Sequence, residues 1–293
     1  MTGVLVTGGT GQVGIELARQ PWPAGWRLAL PSRHELDLAS AASIRAYLAD
    51  RKFGVIINSG AYTAVDKAES EPDLARAVNS QAPALLAEAA QKRGIPIVQL
   101  STDYVFDGEK DGPYVESDPV APLNAYGVSK EGGEQAARAC ARHVILRTSW
   151  VVSPHGRNFM TTILRLAGEK ASLDVVADQQ GAPTAAADIA ATIKKILPEL
   201  LARDAPADRF GTFHFSSAGV ASWYDIATLI AARAAERGRN RCEIRPIRTA
   251  DYPTAARRPA NSRLDTGKIR ATFGIQPRDW RVVVGDILDR LLA

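Results

Sequence analysis

The chain has 293 residues, of which 46% are hydrophobic and 23% charged, and its formal net charge is +4 at pH 7. This length exceeds the usual domain of about 100–200 residues and predicts one large core with a smaller lobe. The charges are dispersed and no apolar run approaches the roughly 20 residues of a membrane helix, so we expect no nucleic acid and no membrane as partner. Cys140 and Cys242 lack ligand or redox spacing, which indicates reduced thiols in a cytoplasmic protein.

The first segment predicts a strand, a glycine-rich loop and a helix. The apolar run Val4-Leu5-Val6 is typical of a buried strand, and Thr7-Gly-Gly-Thr-Gly-Gln-Val-Gly14 follows it. Gly8, Gly11 and Gly14 fit a template in which the backbone turns sharply, approaches a pyrophosphate and packs a helix on the strand. The amide groups of the helix N-terminus would then face the phosphates. We therefore predict a dinucleotide cofactor here.

The segment after the second predicted strand, Arg27–Leu30, bears on which dinucleotide binds. A site for NAD usually has an acid at this strand end, which binds the ribose 2′-hydroxyl. Here Pro31, Ser32 and Arg33 follow the strand, and a hydroxyl with a guanidinium suits a 2′-phosphate. We predict NADPH, with NADH as the second choice, although Arg33 alone fits a solvated loop equally well. Asp37 either accepts from the adenine amino group or caps the next helix.

Strands alternate with helices through the rest of the first half. The strands are predicted at Val55–Gly60, Ile95–Ser101 and His143–Leu146, with a helix over Leu74–Arg93. The alternation predicts an α/β fold with a Rossmann-type, doubly wound parallel sheet. We expect a dinucleotide-binding domain over residues 1–150, and over 151–293 mainly a smaller C-terminal substrate-binding lobe, with segments that return to the Rossmann domain. Ligands bind beyond the carboxyl ends of such strands, at Asn58–Tyr62, Ser101–Asp103 and Arg147–Trp150.

Tyr126 and Lys130 stand four residues apart and predict a proton donor with its activator. Residues at this spacing share one helix face, so Lys130 can hold positive charge beside the phenol and favour its ionised form. Free tyrosine, with a pKa of about 10, is otherwise a poor proton relay near neutral pH. Thr102 lies at a strand end from which its hydroxyl can meet the same carbonyl oxygen. A tyrosine and a lysine at this spacing are common by chance, so the catalytic interpretation depends on the predicted cofactor loop.

The second half is less regular. It predicts helices over Phe159–Ala167 and Trp223–Arg237 and a strand over Phe210–Ser217. Near its end, arginines at 257, 258 and 263 accompany Asn261 and Ser262. Arginine forks match phosphate oxygens bidentately, so these residues suit a diphosphate, with a solvated basic loop as the alternative. The four histidines are scattered, and His143 and His214 fall in strands, where packing is their expected role.

These residues together resemble the extended short-chain dehydrogenases/reductases, and more closely the dTDP-4-dehydrorhamnose reductases. The resemblance covers nearly the whole chain. Its motifs, in order, are Ala64-Val-Asp-Lys-Ala-Glu-Ser-Glu-Pro72, Ser101-Thr-Asp-Tyr-Val-Phe106, Pro122-Leu-Asn-Ala-Tyr126, Arg147-Thr-Ser-Trp150, Asp178-Gln-Gln-Gly-Ala-Pro-Thr184 and Arg258-Pro-Ala-Asn-Ser-Arg-Leu-Asp265.

The resemblance implies the last step of dTDP-L-rhamnose biosynthesis. In that reaction NADPH reduces the C4 ketone of dTDP-4-dehydro-L-rhamnose, while Tyr126 protonates the alkoxide and Lys130 also holds the nicotinamide ribose. By the same resemblance the cofactor contacts are Gly11, Gln12, Val13, Asp37, Leu38, Ala61, Tyr62 and Thr63, and the sugar contacts are Thr102, Asp103 and Trp150.

The chain departs from some members of that family, and two alternatives stay open. Magnesium-bridged dimers cluster glutamates where this chain has Glu16 with Ala187 and Arg290, so we predict no metal and leave monomer or homodimer open. A sugar-nucleotide epimerase or dehydratase shares the scaffold, but dehydratases generally place Asp-Glu after the threonine. A regulatory partner of methionine adenosyltransferase is the non-enzymatic alternative, and it would not require Thr102, Tyr126 and Lys130.

Overall fold

The computed structural model describes residues 2–239 and 241–293, which form alternating strands and helices followed by a less regular second half. The strands are β1 (Thr2–Thr7), β2 (Trp26–Ala29), β3 (Val55–Asn58), β4 (Ile97–Thr102), β5 (His143–Thr148), β6 (Val151–Val152), β7 (Ser172–Val176), β8 (Gln180–Gly181), β9 (Thr184–Ala185), β10 (Gly211–His214), β11 (Ala221–Ser222) and β12 (Glu243–Ile247).

The helices are α1 (Gln12–Arg19), α2 (Ala41–Ala49), α3 (Val65–Ala68), α4 (Pro72–Arg76), α5 (Ala82–Arg93), α6 (Ala125–Ala137), α7 (Phe159–Glu169), α8 (Ala186–Leu201), α9 (Trp223–Glu236), α10 (Gly267–Phe273) and α11 (Trp280–Leu292). A π-helical turn, Ala77–Gln81, joins α4 to α5, and short 3-10 turns span Asp103–Val105, Ala207–Arg209 and Thr249–Asp251. None of the helices in the described ranges is long and apolar enough to span a membrane.

Six parallel strands form the central sheet in the order β10-β5-β4-β3-β1-β2. Side chains alternate between its faces, so Val4 and Val6 pack with α1 and α8 on one side while Leu5 packs with α2 and α5 on the other. Both faces are covered by helices, which is why the strands are apolar throughout. The sheet confirms the predicted Rossmann-type α/β fold.

Segments from both halves of the chain build this sheet. The edge strand β10 lies beside β5, with Gly211 opposite Val144, and α8 packs against α1. A second core joins α7, α9 and α11 with the two-stranded β7–β12 ribbon around Met160, Ile226 and Val283. The chain therefore crosses between the two cores several times after residue 150.

The strand ends place the candidate site. The carboxyl ends of β1, β3, β4 and β5 meet at one edge of the sheet, with Thr7 opposite Asn58 and Thr102 opposite Thr148. There Thr7 Oγ1 donates to Asn58 Oδ1 at 2.5 Å, and Asn58 Nδ2 donates to Gln99 Oε1 at 2.7 Å. The buried side chains at this edge thus satisfy one another and hold the strands in register.

Candidate active site

The glycine loop folds back on itself between β1 and α1. Gly8 has a φ of +69°, which side chains disfavour, and its carbonyl accepts from Gly11 N at 2.9 Å. A Cβ at Gly14 would lie 2.2 Å from that carbonyl oxygen, so only glycine lets α1 begin this close to the strand. Gln12 and Val13 open α1, and the N-cap Gly11 has no side chain to satisfy their amide groups. The loop therefore fits the pyrophosphate of a dinucleotide.

The loop after β6 closes over one end of the glycine loop. Gln12 Oε1 accepts from Ser153 Oγ at 2.8 Å and from Asn158 Nδ2 at 3.0 Å. His155 Nε2 lies 3.0 Å from Glu16 Oε1, and Arg290 Nη1 lies 3.4 Å from the same oxygen. Glu16 is thus a buried carboxylate with two basic neighbours from the second half of the chain.

The segment Ser32–Asp37 forms what we call the serine rim, where the 2′-phosphate donors were predicted. Ser32 donates from N and from Oγ to Glu35 Oε2, at 2.8 and 2.9 Å, and this contact holds the pKa of Glu35 below its ordinary value. Arg33 lies 3.6 Å from Asp37 and its side chain is 80% exposed. Asp37 also caps its own turn by accepting from Ala39 N. The candidate donors therefore already face carboxylates, which the sequence did not indicate.

The strand β3 leads into the predicted nicotinamide-side residues Ala61, Tyr62 and Thr63. Asn79, in the π-helical turn, accepts from Tyr62 N at 2.8 Å and donates to Tyr62 O at 3.0 Å. Leu38, which was predicted to lie near the adenine, packs against Gly60, where an added Cβ would lie 2.5 Å from it. The sequence missed Asn79, because a polar residue inside a long helical pattern carries no signal of its own.

Thr102, Tyr126 and Lys130 meet at the carboxyl edge of the sheet, and we call them the tyrosine edge. Asn124 caps α6 by accepting from Gly127 N at 2.8 Å, so Tyr126 falls in the first turn and Lys130 one turn later. All three side chains are at least nine-tenths buried. The Thr102 hydroxyl acts to lower the pKa of the Tyr126 phenol, against the larger effect of burial, and Lys130 Nζ donates to Leu100 O at 2.7 Å. The structure thus brings the predicted trio together.

Burial dominates the electrostatics of the tyrosine edge. It raises the pKa of Tyr126 above the ordinary value, with the Thr102 hydroxyl lowering the pKa and the Asp103 charge raising it. Burial also lowers the pKa of Lys130 to about 8, against the opposing charge of Glu134. The phenol therefore stays protonated at neutral pH, as a proton donor must, and the ammonium loses its proton first as pH rises.

Asp103 lies next to this trio, where the sequence predicted a substrate contact. Its Oδ1 accepts from Thr102 Oγ1 at 3.0 Å. Burial raises its pKa to about 6, while the hydroxyls of Ser262 and Thr102 act in the opposite direction. Ser262 comes from near the end of the chain and is itself buried. Because its hydroxyl acts on the Asp103 carboxyl, the structure brings Ser262 to the tyrosine edge.

Trp150 follows β5 and faces the second half of the chain. Its φ of +47° is unusual for a side chain of this size, and such strain is concentrated at functional sites. Its ring stacks on Trp223 with 3.8 Å between centroids and lies against Gly181, where a Cβ would come within 2.7 Å of the ring. Trp223 in turn donates from Nε1 to Gln179 Oε1 at 3.1 Å. The sequence treated Trp223 only as a helix start.

A cavity of about 340 Å³ opens beside these tryptophans. It combines aromatic and apolar walls with a few polar groups, as small-molecule sites do. Its lining includes Phe159, Ile163, Gln179, Trp223, Thr249, Tyr252 and Arg258. Of these the sequence predicted only Arg258 as a binding residue, because the others come from α7, α9 and the segments around residues 179 and 249–252, which meet only in the folded chain.

Arg258 reaches the cavity as one half of an ion pair. Its two terminal nitrogens each donate at 2.9 Å to one oxygen of Asp66, and Nη1 also donates to Ala256 O at 2.9 Å. This pairing offsets burial and raises the pKa of Arg258. Burial raises the pKa of Tyr104 and the Arg258 charge acts to lower it, and the Tyr104 ring lies edge-on to Tyr126 at 5.5 Å. The guanidinium therefore lies on the side of the cavity that leads to the tyrosine edge.

Asn261 and Arg263 have different surroundings from Arg258. Asn261 Nδ2 donates to Lys110 O and Gly112 O, and its Oδ1 accepts from Arg263 Nε at 2.9 Å. Arg263 also donates to Asp111 O and lines a separate cavity of about 250 Å³. The structure thus does not bring Arg263 together with Arg258, and these contacts tie the segment around 261 to the loop at 110–112.

A parallel Rossmann-type sheet, a glycine loop at its first strand and a buried Thr–Tyr–Lys trio at its carboxyl edge define a protein of the short-chain dehydrogenase/reductase class. The model of the family described as RmlD substrate binding domain matches residues 1–293. The dTDP-4-dehydrorhamnose reductase of Sinorhizobium fredii is 45% identical over 276 residues, covering 94% of this chain and 93% of that protein. The chain belongs to the dTDP-4-dehydrorhamnose reductase family.

Solved structures agree with this assignment. A dTDP-4-dehydrorhamnose reductase from Clostridium acetobutylicum superposes with a TM-score of 0.92 at 35% identity, covering 100% of both chains. The Bacillus anthracis protein of the same name, in complex with NADP, gives 0.90 at 32% identity and covers 99% of this chain and 100% of its own.

Proposed function

We propose that this protein reduces the C4 ketone of dTDP-4-dehydro-L-rhamnose to the alcohol of dTDP-L-rhamnose, with NADPH as reductant. The observation that carries the proposal is the tyrosine edge, in which a buried phenol and a second buried hydroxyl lie at the carboxyl edge of the sheet, the edge where the glycine loop follows β1. Such a pair serves carbonyl reduction, because both hydroxyls can bind one oxygen as negative charge develops on it. Membership of the family specifies the carbonyl.

The proposed cofactor contacts divide between the glycine loop and the strand ends. The diphosphate would be held by Gly8, Gly11, Gln12, Val13 and Gly14. Leu38 would lie beside the adenine, and Ala61 to Thr63 would lie beside the nicotinamide. When bound, NADPH supplies the hydride that reduces C4. The overall change is balanced, because the ketone gains that hydride at carbon and one proton at oxygen.

The proton in this reaction comes from Tyr126. Its phenol remains protonated because burial raises its pKa, and Oη donates the proton as the C4 oxygen becomes an alkoxide. Thr102 Oγ1 now donates to Asp103, and the same hydroxyl would donate to the C4 oxygen of a bound substrate. The Lys130 ammonium keeps positive charge behind the phenol, which favours the anionic product state of the tyrosine.

The substrate nucleotide is assigned to the 340 Å³ cavity. Its aromatic wall of Phe159, Trp223 and Tyr252 suits a planar base, and Gln179 and Thr249 offer polar contacts at its side. Arg258 is positioned for the diphosphate, since its fork is held by Asp66 on the side toward Tyr126. Trp150 then lies between the cavity and the sugar.

The proposed NADPH preference depends on the serine rim. Ser32 and Arg33 offer donors that suit a 2′-phosphate, but each must first leave a carboxylate, Glu35 or Asp37. The preference should therefore be modest, and NADH should be used as well. We further propose a cytoplasmic protein, either a monomer or a homodimer, which light scattering of the purified chain distinguishes.

The decisive test is turnover of a panel of 4-keto sugar nucleotides with both cofactors. We expect oxidation of NADPH with dTDP-4-dehydro-L-rhamnose, a 4-hydroxy product by NMR, and lower kcat/KM with UDP-linked analogues. No reduction of any 4-keto sugar nucleotide would overturn the function, and an epimerised product without net NADPH loss would favour the epimerase alternative. NADH exceeding NADPH severalfold in kcat/KM would overturn the cofactor preference alone.

A further inference from the structure

The last three residues of β4 each meet one residue of α6. Leu100 accepts from Lys130 through its carbonyl at 2.7 Å, Ser101 Oγ donates to Glu134 Oε1 at 2.6 Å, and the Thr102 hydroxyl acts on the pKa of the Tyr126 phenol. Two of these contacts belong to the tyrosine edge. The third, through Glu134, has no part in the reaction as derived above.

Glu134 is a fully buried carboxylate in a set of charged partners. Arg147 on β5 donates to both of its oxygens, from Nε at 2.8 Å and from Nη2 at 2.7 Å, and is itself buried. Arg138, whose side chain is partly exposed, also donates from Nη2 to Glu134 Oε2 at 2.8 Å. Burial alone would raise the pKa of Glu134, but the Arg147 contacts outweigh it and hold the pKa below its ordinary value. Glu134 is therefore ionised.

Within the described part of the chain, the other neighbours of Arg147 provide no second anion. Its Nη1 lies 3.4 Å from His214 Nε2, and its guanidinium lies 4.9 Å above the Phe106 ring. Burial lowers the pKa of His214 to about 3, so the imidazole is neutral. Glu134 thus balances Arg147 and still acts on the ammonium one turn away along α6.

We propose that Glu134, fixed by Arg147, is a positioning residue that keeps Lys130 charged beside Tyr126. Lys130 and Glu134 stand four residues apart, so they share the buried face of α6. Both are tied to consecutive residues of β4, which sets the register of the helix against Thr102. An ammonium without such a carboxylate would be a lone buried cation, which proteins neutralise by losing the proton.

Burial and the charge of Glu134 act on the pKa of Lys130, and the groups beyond them come from several elements. Glu134 lies on its own helix, Arg147 lies behind Glu134 on β5, and Asp103 lies beyond Thr102, whereas the π-helical turn contributes the neutral Asn79 and Ser80. Glu134 raises the pKa of Lys130 toward its ordinary value. Removing that carboxylate must therefore lower the pKa further, and the protonated state would be lost at a lower pH.

The test compares Glu134→Gln with the natural chain in two measurements. The alkaline limb of kcat/KM should move to lower pH by at least about one unit, the lower end of the effect of a close opposite charge. The NMR titration of ¹³C-labelled lysine, with the Lys130 signal identified by its absence in Lys130→Arg, should move by the same amount. Below that limb, activity should stay within about fivefold.

Two further variants complete the design. Arg138→Gln removes the surface partner of Glu134 and should leave both titrations within about 0.3 unit, because exposed pairs contribute little. If Glu134→Gln does not fold, Glu134→Asp retains the charge at a longer distance and should shift both titrations in the same direction by about half as much.

Equal pKa values of Lys130 in the natural chain and in the folded Glu134 variant would overturn the proposal, as would activity lost equally at every pH. The inference rests on the proposed function for its kinetic readout. Its NMR readout does not, so a chain without reductase activity would refute the function and still decide the role of Glu134.

Discussion

The tyrosine edge and the serine rim are both assigned to the proposed cofactor site but differ in almost every physical respect. Tyr126 and Lys130 are buried, their partners are fixed by strand β4, and their pKa values are displaced by burial. Arg33 is 80% exposed, and its ion pair with Asp37 spans 3.6 Å. Interactions between charges are strong at the tyrosine edge because burial limits screening, whereas water and salt weaken them at the serine rim.

Because of this difference, we expect proton transfer to depend on buried residues and the choice between NADPH and NADH to depend on exposed ones. A buried proton donor tolerates few replacements, since each one leaves a cavity or an unpaired polar group. An exposed rim can exchange its residues at little cost to stability. We infer that substitutions at the tyrosine edge change kcat by orders of magnitude, while those at the serine rim change cofactor preference by small factors.

The largest effect is expected for Tyr126→Phe. This change removes the proton donor but keeps the ring, so kcat should fall by about 10²–10⁴, the usual contribution of a general acid. Steady-state rates with saturating NADPH and substrate measure it. Tyr47→Phe, at a ring stacked on Phe53 away from the strand ends, is the matched control, and an equal loss there would point to general damage.

Thr102→Val should lower kcat by about 10²-fold, because it deletes a hydrogen bond to the developing oxyanion while keeping the β-branched shape. Thr102→Ser retains the hydroxyl and should stay within about fivefold of the natural chain. The two variants are compared by kcat at one pH. Equal activity of the valine and serine variants would remove Thr102 from the mechanism.

A smaller effect is expected for Asp66→Asn, which releases the fork of Arg258. The pair is partly exposed, with side chains 23% and 46% accessible, so we expect KM for the sugar nucleotide to rise by only about 3- to 10-fold with little change in kcat. Asp73→Asn, at an exposed pair with Arg76, serves as control. A fall in kcat at unchanged KM would contradict a binding role.

The smallest effect is expected for Arg33→Ala at the serine rim. An exposed charge contributes about 0.2–1 kcal/mol, so kcat/KM for NADPH should fall by about 1.4- to 5-fold. The value for NADH should not change, because NADH lacks the 2′-phosphate. Arg45→Ala on α2 provides an exposed arginine for comparison. An equal loss with both cofactors would show that Arg33 does not recognise the phosphate.

Much of the fold was predictable because local patterns and tertiary structure agree. The apolar strands β1, β3, β4 and β5 lie where the runs of Val, Ile and Leu placed them, and the glycine loop follows β1 as its spacing required. The helix predicted over residues 74–93 is interrupted by the π-helical turn at Ala77–Gln81. There Asn79 binds Tyr62, and its carbonyl lies against Gly133 of α6. Periodicity cannot reveal a contact between segments so distant in sequence.

The candidate site was less predictable than the fold. Thr102, Tyr126 and Lys130 were predicted from local patterns. The helical spacing indicated the tyrosine and the lysine, and the position at a strand end indicated the threonine. The cavity beside Trp223 was not, since α7, α9 and β7 assemble it. Asp66 and Arg258 stand 192 residues apart, and nothing near Arg258 in the sequence indicates that its partner is a carboxylate. Ser32 pairs with Glu35 because the chain turns between them. The residue spacing alone did not predict the conformation of that turn.

The separation of chemistry from cofactor choice is tested most directly by a double-mutant cycle of Tyr126→Phe and Arg33→Ala, measured as kcat/KM with NADPH and with NADH. Distant sites act independently, so the losses should multiply within about twofold. Tyr126→Phe should cost the same factor with either cofactor, and Arg33→Ala should change the NADPH/NADH ratio equally in both backgrounds. A Tyr126→Phe variant with full activity, or one whose loss disappears in the Arg33→Ala background, would contradict it.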